Sequence, residues 1–168
     1  MLALQLILAA CSVGTNDQQA LAAAQASYDS GNYSKAVIEL KQILQINSKN
    51  IDARKLLARC YLKKGDGASA EKEISKVSGS QQPTADIQSI LMNSWELQGK
   101  HQAIVKTYEE GGFNEVDTAL VLGVVSYSYL LEKEVEKGVE LARKLLEQES
   151  NSVTALRTLA KAASVKND

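Results

Sequence analysis

The chain has 168 residues with 19 basic and 20 acidic groups, so its net charge is -1 and its isoelectric point is near 5.9. Near-neutrality argues against a dedicated nucleic-acid binder, which gathers Lys and Arg against phosphates. A single histidine and two cysteines leave little for metal or nucleophile chemistry. Leu and Ala supply 21 residues each while aromatics make up 5 %, the composition of a helical protein packed through aliphatic and small side chains.

Residues 1–11 are apolar except for Gln5, and the stretch from Ser12 to Gln19 is abruptly polar. Eleven helical residues rise about 16 Å, roughly half a bilayer's hydrocarbon core, so the segment is too short to span one. It reads as the apolar region of a secretory signal. Leu8-Ala9-Ala10-Cys11 resembles the bacterial lipobox, which implies cleavage before Cys11 and its acylation, with residues 12–16 as a tether. The expected address is then the periplasmic face of the outer membrane in a Gram-negative bacterium, since Ser12 rather than Asp follows the cysteine. The first basic residue is Lys35, so the charged start of a signal is missing, and the other reading of the segment is an apolar helix capping the next helix pair.

From residue 17 onward the chain repeats itself every 34 residues: Gly31, Gly65 and Gly99 share one register, and Lys133 takes the fourth place. Five residues after these come Ala36, Ala70, Ile104 and Gly138. The frame gives units 17–50, 51–84, 85–118 and 119–152, then a half unit 153–168 that is either a truncated hairpin or a solvating cap. Apolar residues within each unit have helical spacing interrupted at the glycine, which predicts two helices per unit. Position 7 of the units (Ala23, Leu57, Leu91, Val125, Leu159) and position 8 (Ala24, Ala58, Met92, Ser126, Ala160) are expected to be buried. Position 11 holds a large ring in the three central units, Tyr61, Trp95 and Tyr129. In the third unit Gly111-Gly112 cuts the second helix short, and a local irregularity is expected there.

A 34-residue helix-turn-helix with a small residue at position 8, an aromatic at 11, Gly at 15 and Ala at 20 resembles the tetratricopeptide repeat. The resemblance implies an all-α fold, a right-handed superhelical α-solenoid of antiparallel helix hairpins with a concave groove that binds protein. The runs 31–41 and 53–73, behind a lipobox, are also similar to the large repeat lipoprotein of the PEP-CTERM/exosortase system. That likeness implies a scaffold in envelope protein sorting or exopolysaccharide export. A pilotin-like or outer-membrane-assembly lipoprotein is the alternative within the same class, and a regulatory part of a longer protein is a third reading.

Catalytic groupings are hard to assemble from this sequence. His101 takes the turn position that Tyr33 holds in the first unit, and Cys60 reads as a small core or groove thiol. Gly65-Asp66-Gly67 lacks the Lys and Ser or Thr of a phosphate loop, and Glu71 with Glu73, or Glu109 with Glu110, read as solvated helix charges. The expectation is a non-enzyme with no cofactor, no metal and no small-molecule substrate. Groove positions 2, 5, 9, 12 and 13 place Lys55, Arg59 and Lys63 in one cationic stripe in the second unit. In the fourth they give Leu120, Gly123, Tyr127, Leu130 and Leu131, an apolar patch with an aromatic anchor. The expected partner-binding residues are therefore Lys55, Arg59, Lys63, Tyr127 and Leu130, with a protein or peptide in the groove and the membrane reached through Cys11.

Overall fold

The structure, a computed structural model, describes residues 17–78 and 84–165, and the expectations for the signal, for Cys11 and for the tether lie outside them. The described residues form helices joined by short turns, with no strand among them. Two bodies are separated between Ser80 and Gln81.

The first body holds α1 (17–29), α2 (Tyr33–Ile46), α3 (Ile51–Lys63) and α4 (Gly67–Ser78). Its core joins Ala24, Ala36, Leu40, Ile43, Ala53, Leu56, Leu57 and Cys60. Small residues at the crossings let neighbouring helix axes approach. Arg54 of α3 donates to the Ser48 carbonyl and pairs at 2.7 Å with Glu73 of α4, both side chains largely shielded from solvent. Glu73, expected to be solvated, is thus an internal strut of this body.

The second body holds α5 (Ala85–Leu97), α6 (His101–Glu109), α7 (Thr118–Leu131), α8 (Val135–Gln148) and α9 (Val153–Val165). Its central helix, α7, packs against α6, α8 and α9, which is why it is buried nearly all round. One core cluster joins Met92, Ile104, Val105, Val121, Val125 and Tyr129, and another joins Leu122, Ala142, Leu145 and Ala155.

The turns between paired helices repeat one geometry. Gly31, Gly65, Gly99 and Lys133 all have φ between 67° and 77°. The next N–H after each turn donates at 2.9 Å to the carbonyl of Ser27, Tyr61, Trp95 or Tyr129, the Schellman closure of a helix end. Asn50 and Asp117 cap the following helices by accepting from Ala53 N and Leu120 N.

The third unit departs from its neighbours as Gly111-Gly112 implied. Helix α6 has only nine residues. The loop after it drives Phe113, at φ 63°, into the core, where its ring meets Trp95 edge-on at 6.3 Å. Gln88 of α5 holds the same loop by accepting from Glu115 N at 3.3 Å.

Burial corrects part of the column reading. Ala24, Ala58, Met92, Ser126, Leu57 and Val125 are buried, but Ala23 and Ala160 are exposed and Leu91 and Leu159 are half-buried. Leu57 packs with Ala24, Ala36 and Leu40 of the preceding hairpin, and Met92 with Ile104 and Val105 of the second helix of its own unit. Among the described residues α1 has nothing before it and α9 has nothing after it, so one face of each stays open.

Candidate protein-interaction surface

In the first body Lys55, Arg59 and Lys63 share one face of α3, as their spacing of four requires. Arg59 and Lys63 are exposed, while Lys55 is half-buried and pairs with Asp52 at 3.3 Å.

In the second body the expected patch needs correction. Leu130 is 5 % exposed and belongs to the interior, because the helices around α7 cover both its flanks. Tyr127 is half-buried beneath Arg157 of α9, whose guanidinium carbon lies 4.1 Å from the ring centroid. The same guanidinium lies 4.0 Å from a Glu96 carboxylate oxygen of α5, an electrostatic contact beyond hydrogen-bonding reach. Gly123 is buried, and a Cβ there would stand 3.2 Å from Thr154 Cγ2, so α7 and α9 meet closely at this point. A surface cavity of about 480 Å³ opens beside that crossing, with Leu120, Glu149 and Arg157 on its walls.

Sequence reasoning placed Leu131 in the groove but missed Arg157 and the aliphatic row to which Leu131 belongs. Leu97, Leu131 and Val165 close α5, α7 and α9 and are 51 %, 39 % and 46 % exposed. They occupy one register, 34 residues apart, where the first two units have Asp29 and Lys63. Reading that single position down the repeats would have found them.

The remaining chemistry-bearing groups are structural. Tyr129 donates to Glu109 Oε1 at 3.0 Å, and Lys137 donates to the same oxygen at 2.9 Å. Burial, then the Glu109 hydrogen bond, pushes the Tyr129 phenol up to about 12, and the Lys137 and Tyr129 hydrogen bonds hold the Glu109 carboxyl below its ordinary range. Glu109, expected to be solvated, therefore ties α6 to α7 and α8. Burial pushes the Cys60 thiol up to about 11, which leaves it protonated and inert at neutral pH. His101 meets the Ser128 hydroxyl at 3.2 Å, a packing contact at the start of α6. Among the described residues no three His, Cys, Asp or Glu side chains gather as metal ligands.

Residues 27–91 match the tetratricopeptide repeat family. No curated protein matches the chain. Among solved structures the chain is similar to MamA, with a TM-score of 0.73 at 17 % identity over 86 % of this chain and 84 % of that one. It is also similar to PilF of Pseudomonas aeruginosa, with a TM-score of 0.66 at 15 % identity over 90 % and 69 %. At such identities the likeness is one of fold. The chain is an all-α protein with the tetratricopeptide-repeat solenoid fold, as its 34-residue period requires, and that fold is a scaffold for binding protein partners.

Proposed function

We propose that this chain is a non-catalytic interaction scaffold, held at the periplasmic face of the outer membrane by a lipid on Cys11, that supports PEP-CTERM protein sorting or exopolysaccharide export. The observation that carries the scaffold reading is what the first helices of each body, taken separately, leave exposed. Arg59 and Lys63 stand on α3, and Leu97 and Leu131 on α5 and α7, positions where a solvating surface needs no aliphatic side chains. The anchor rests on Leu8-Ala9-Ala10-Cys11 and the polar run behind it. A chain with two or three acyl groups gains about 0.8 kcal/mol per buried methylene, enough for stable attachment.

Intact-mass measurement of the membrane-fraction protein tests the anchor. Cleavage before Cys11 with added acyl mass is expected, and an unprocessed thiol at Cys11 overturns it. A photo-crosslinker at Arg59, in cells carrying either the parent protein or one with Lys55→Glu and Lys63→Glu, tests the stripe. One envelope protein should crosslink in the parent and fade in the variant. Equal yields would reduce the stripe to solvation.

A further inference from the structure

Positions 4 and 23 of a repeat unit meet across its hairpin, and in the second unit they hold a charge pair. Arg54 at position 4 donates to Glu73 at position 23 at 2.7 Å, and Lys76 donates to the other Glu73 oxygen at 2.7 Å, so both carboxylate oxygens have a donor. In the fourth unit the same two positions are Leu122 and Leu141, and Leu141 packs against the cluster that holds Leu122. In the third they are the neutral Gln88 and Thr107. The first unit departs from this complementarity: it keeps the acid, Glu39, and has Ala20 in the register of Arg54. One Glu39 oxygen has Lys35 at 3.6 Å, beyond hydrogen-bonding reach, and the other is buried with no hydrogen-bond partner. A carboxylate oxygen shut from water without a donor is unfavourable, so the hairpin lacks the donor that this burial calls for. A cavity of about 210 Å³ opens at the same place, lined by Ala20 and Glu39 together with Asp17, Ala23, Ile43 and Ile46.

We infer that this notch in the first hairpin is a guanidinium-binding site, filled by an arginine side chain of a partner protein in the way that Arg54 fills its counterpart one repeat later. The chemistry of the occupant is set by that internal template, since the same acid in the same register takes a guanidinium in the second unit. The aliphatic stem of the incoming arginine lies along Ala20, Ala23, Ile43 and Ile46, and its fork of donors meets the Glu39 carboxylate, with Asp17 as a second acid in the wall. Residues 1–16, next to the notch in sequence, contain no Lys, Arg or His and cannot supply the cation. Ile46, 76 % exposed in the same wall, favours a polypeptide source, because it offers apolar surface to the neighbours of the arginine. The site goes beyond the scaffold reading above. It lies at positions 1, 4 and 7 of α1 and on α2, outside groove positions 2, 5, 9, 12 and 13, and shares no residue with the stripe of Lys55, Arg59 and Lys63.

The test is NMR of the full chain, isotope-labelled at its alanine and isoleucine methyls and titrated with two end-capped helical peptides that differ in one residue, arginine or its uncharged isostere citrulline. The arginine peptide should shift the Ala20, Ala23, Ile43 and Ile46 methyls saturably with a Kd of about 1 mM or below, and the citrulline peptide should bind at least about tenfold more weakly. Glu39→Gln, which keeps the shape and removes the charge, should abolish the difference between the two peptides. Ala20→Arg should fill the notch from within, abolish binding and raise Tm, whereas Lys55→Glu with Lys63→Glu should leave the preference for arginine in place. Equal shifts with the two peptides, no saturable shift, or binding that survives Ala20→Arg overturns the proposal. Free arginine that binds as tightly as the peptide overturns the protein source, and a dimer that Glu39→Gln dissociates makes a second copy the occupant and overturns it too. The mass and crosslinking measurements at Cys11 and Arg59 are read on other residues, so the proposed function and this site can fail separately.

Discussion

Arg157 lies over the ring of Tyr127, its guanidinium carbon 4.1 Å from the centroid, so a side chain of α9 clasps the first helix of the preceding hairpin. The guanidinium is about half-exposed, where a cation–π contact is worth about 0.5–1 kcal/mol. Arg157→Ala and Tyr127→Leu are each expected to lower stability by that order, and a double-mutant cycle in urea should return most of it as coupling. Glu96→Gln should add only a few tenths of a kcal/mol, and that part should vanish in high salt. A coupling near zero would mean that the stacking contributes nothing.

Gly138 sits where α8 crosses α7, and a Cβ there would stand 2.7 Å from the Ser126 carbonyl oxygen and 3.3 Å from Leu130 N. Helix propensity alone predicts that Gly138→Ala gains about 1 kcal/mol. Backbone cannot yield as a side chain can, so overpacking of about 1–3 kcal/mol should win. Gly123→Ala, whose new methyl meets side chains alone, Thr154 Cγ2 at 3.2 Å and Leu145 Cδ2 at 3.6 Å, should be close to neutral. Urea midpoints of the two variants check the contrast, and a stabilised Gly138→Ala protein would refute the close crossing.

The hairpins, their turns and the small residues at their crossings were legible because each is local or periodic. Gly31, Gly65 and Gly99 announce one turn, and Ala36, Ala70 and Gly138 one close approach. What stayed hidden depends on neighbours in space. Position 7 is buried in Leu57 and open in Ala23, because only one of them has a hairpin before it among the described residues. Leu130 looked like groove and is interior, since three helices surround α7. Glu73 and Glu109 read as surface charges because Arg54 and Lys137, their partners, lie 19 and 28 residues away. Phe113 could not be read as core, since only the shortened α6 and its loop carry it back to Trp95.

The phenol of Tyr129 makes stability fall in alkali. Its ordinary value is 10.0, and burial followed by the Glu109 bond raises it to about 12 in the folded protein. The folded state therefore holds this proton more tightly than the unfolded chain, so the contribution is complete below pH 10 and is lost as pH rises from 10 towards 12. Tyr129→Phe should be less stable at pH 8, because Glu109 loses a hydrogen-bond donor, but its urea midpoint should fall less steeply between pH 10 and 12 than that of the parent. Parallel curves would show that the phenol does not titrate differently on folding.

Lys133 occupies, at φ 67°, the turn position that glycine holds at 31, 65 and 99. A residue with a Cβ pays about 1–2 kcal/mol in the left-handed region. Its side chain is exposed and without an ion pair among the described residues, so nothing in the fold offsets that cost. Lys133→Gly removes the strain but gives the unfolded chain more freedom, a loss of about 0.5–1 kcal/mol. The net expectation is a gain of up to about 1 kcal/mol, or about 2–4 °C in Tm for a chain of this size. Gly99→Lys, the reverse change in the same register, should lose a similar amount. Calorimetry of the pair decides the matter: if both substitutions lower Tm, Lys133 stabilises its turn through contacts and not in spite of its backbone.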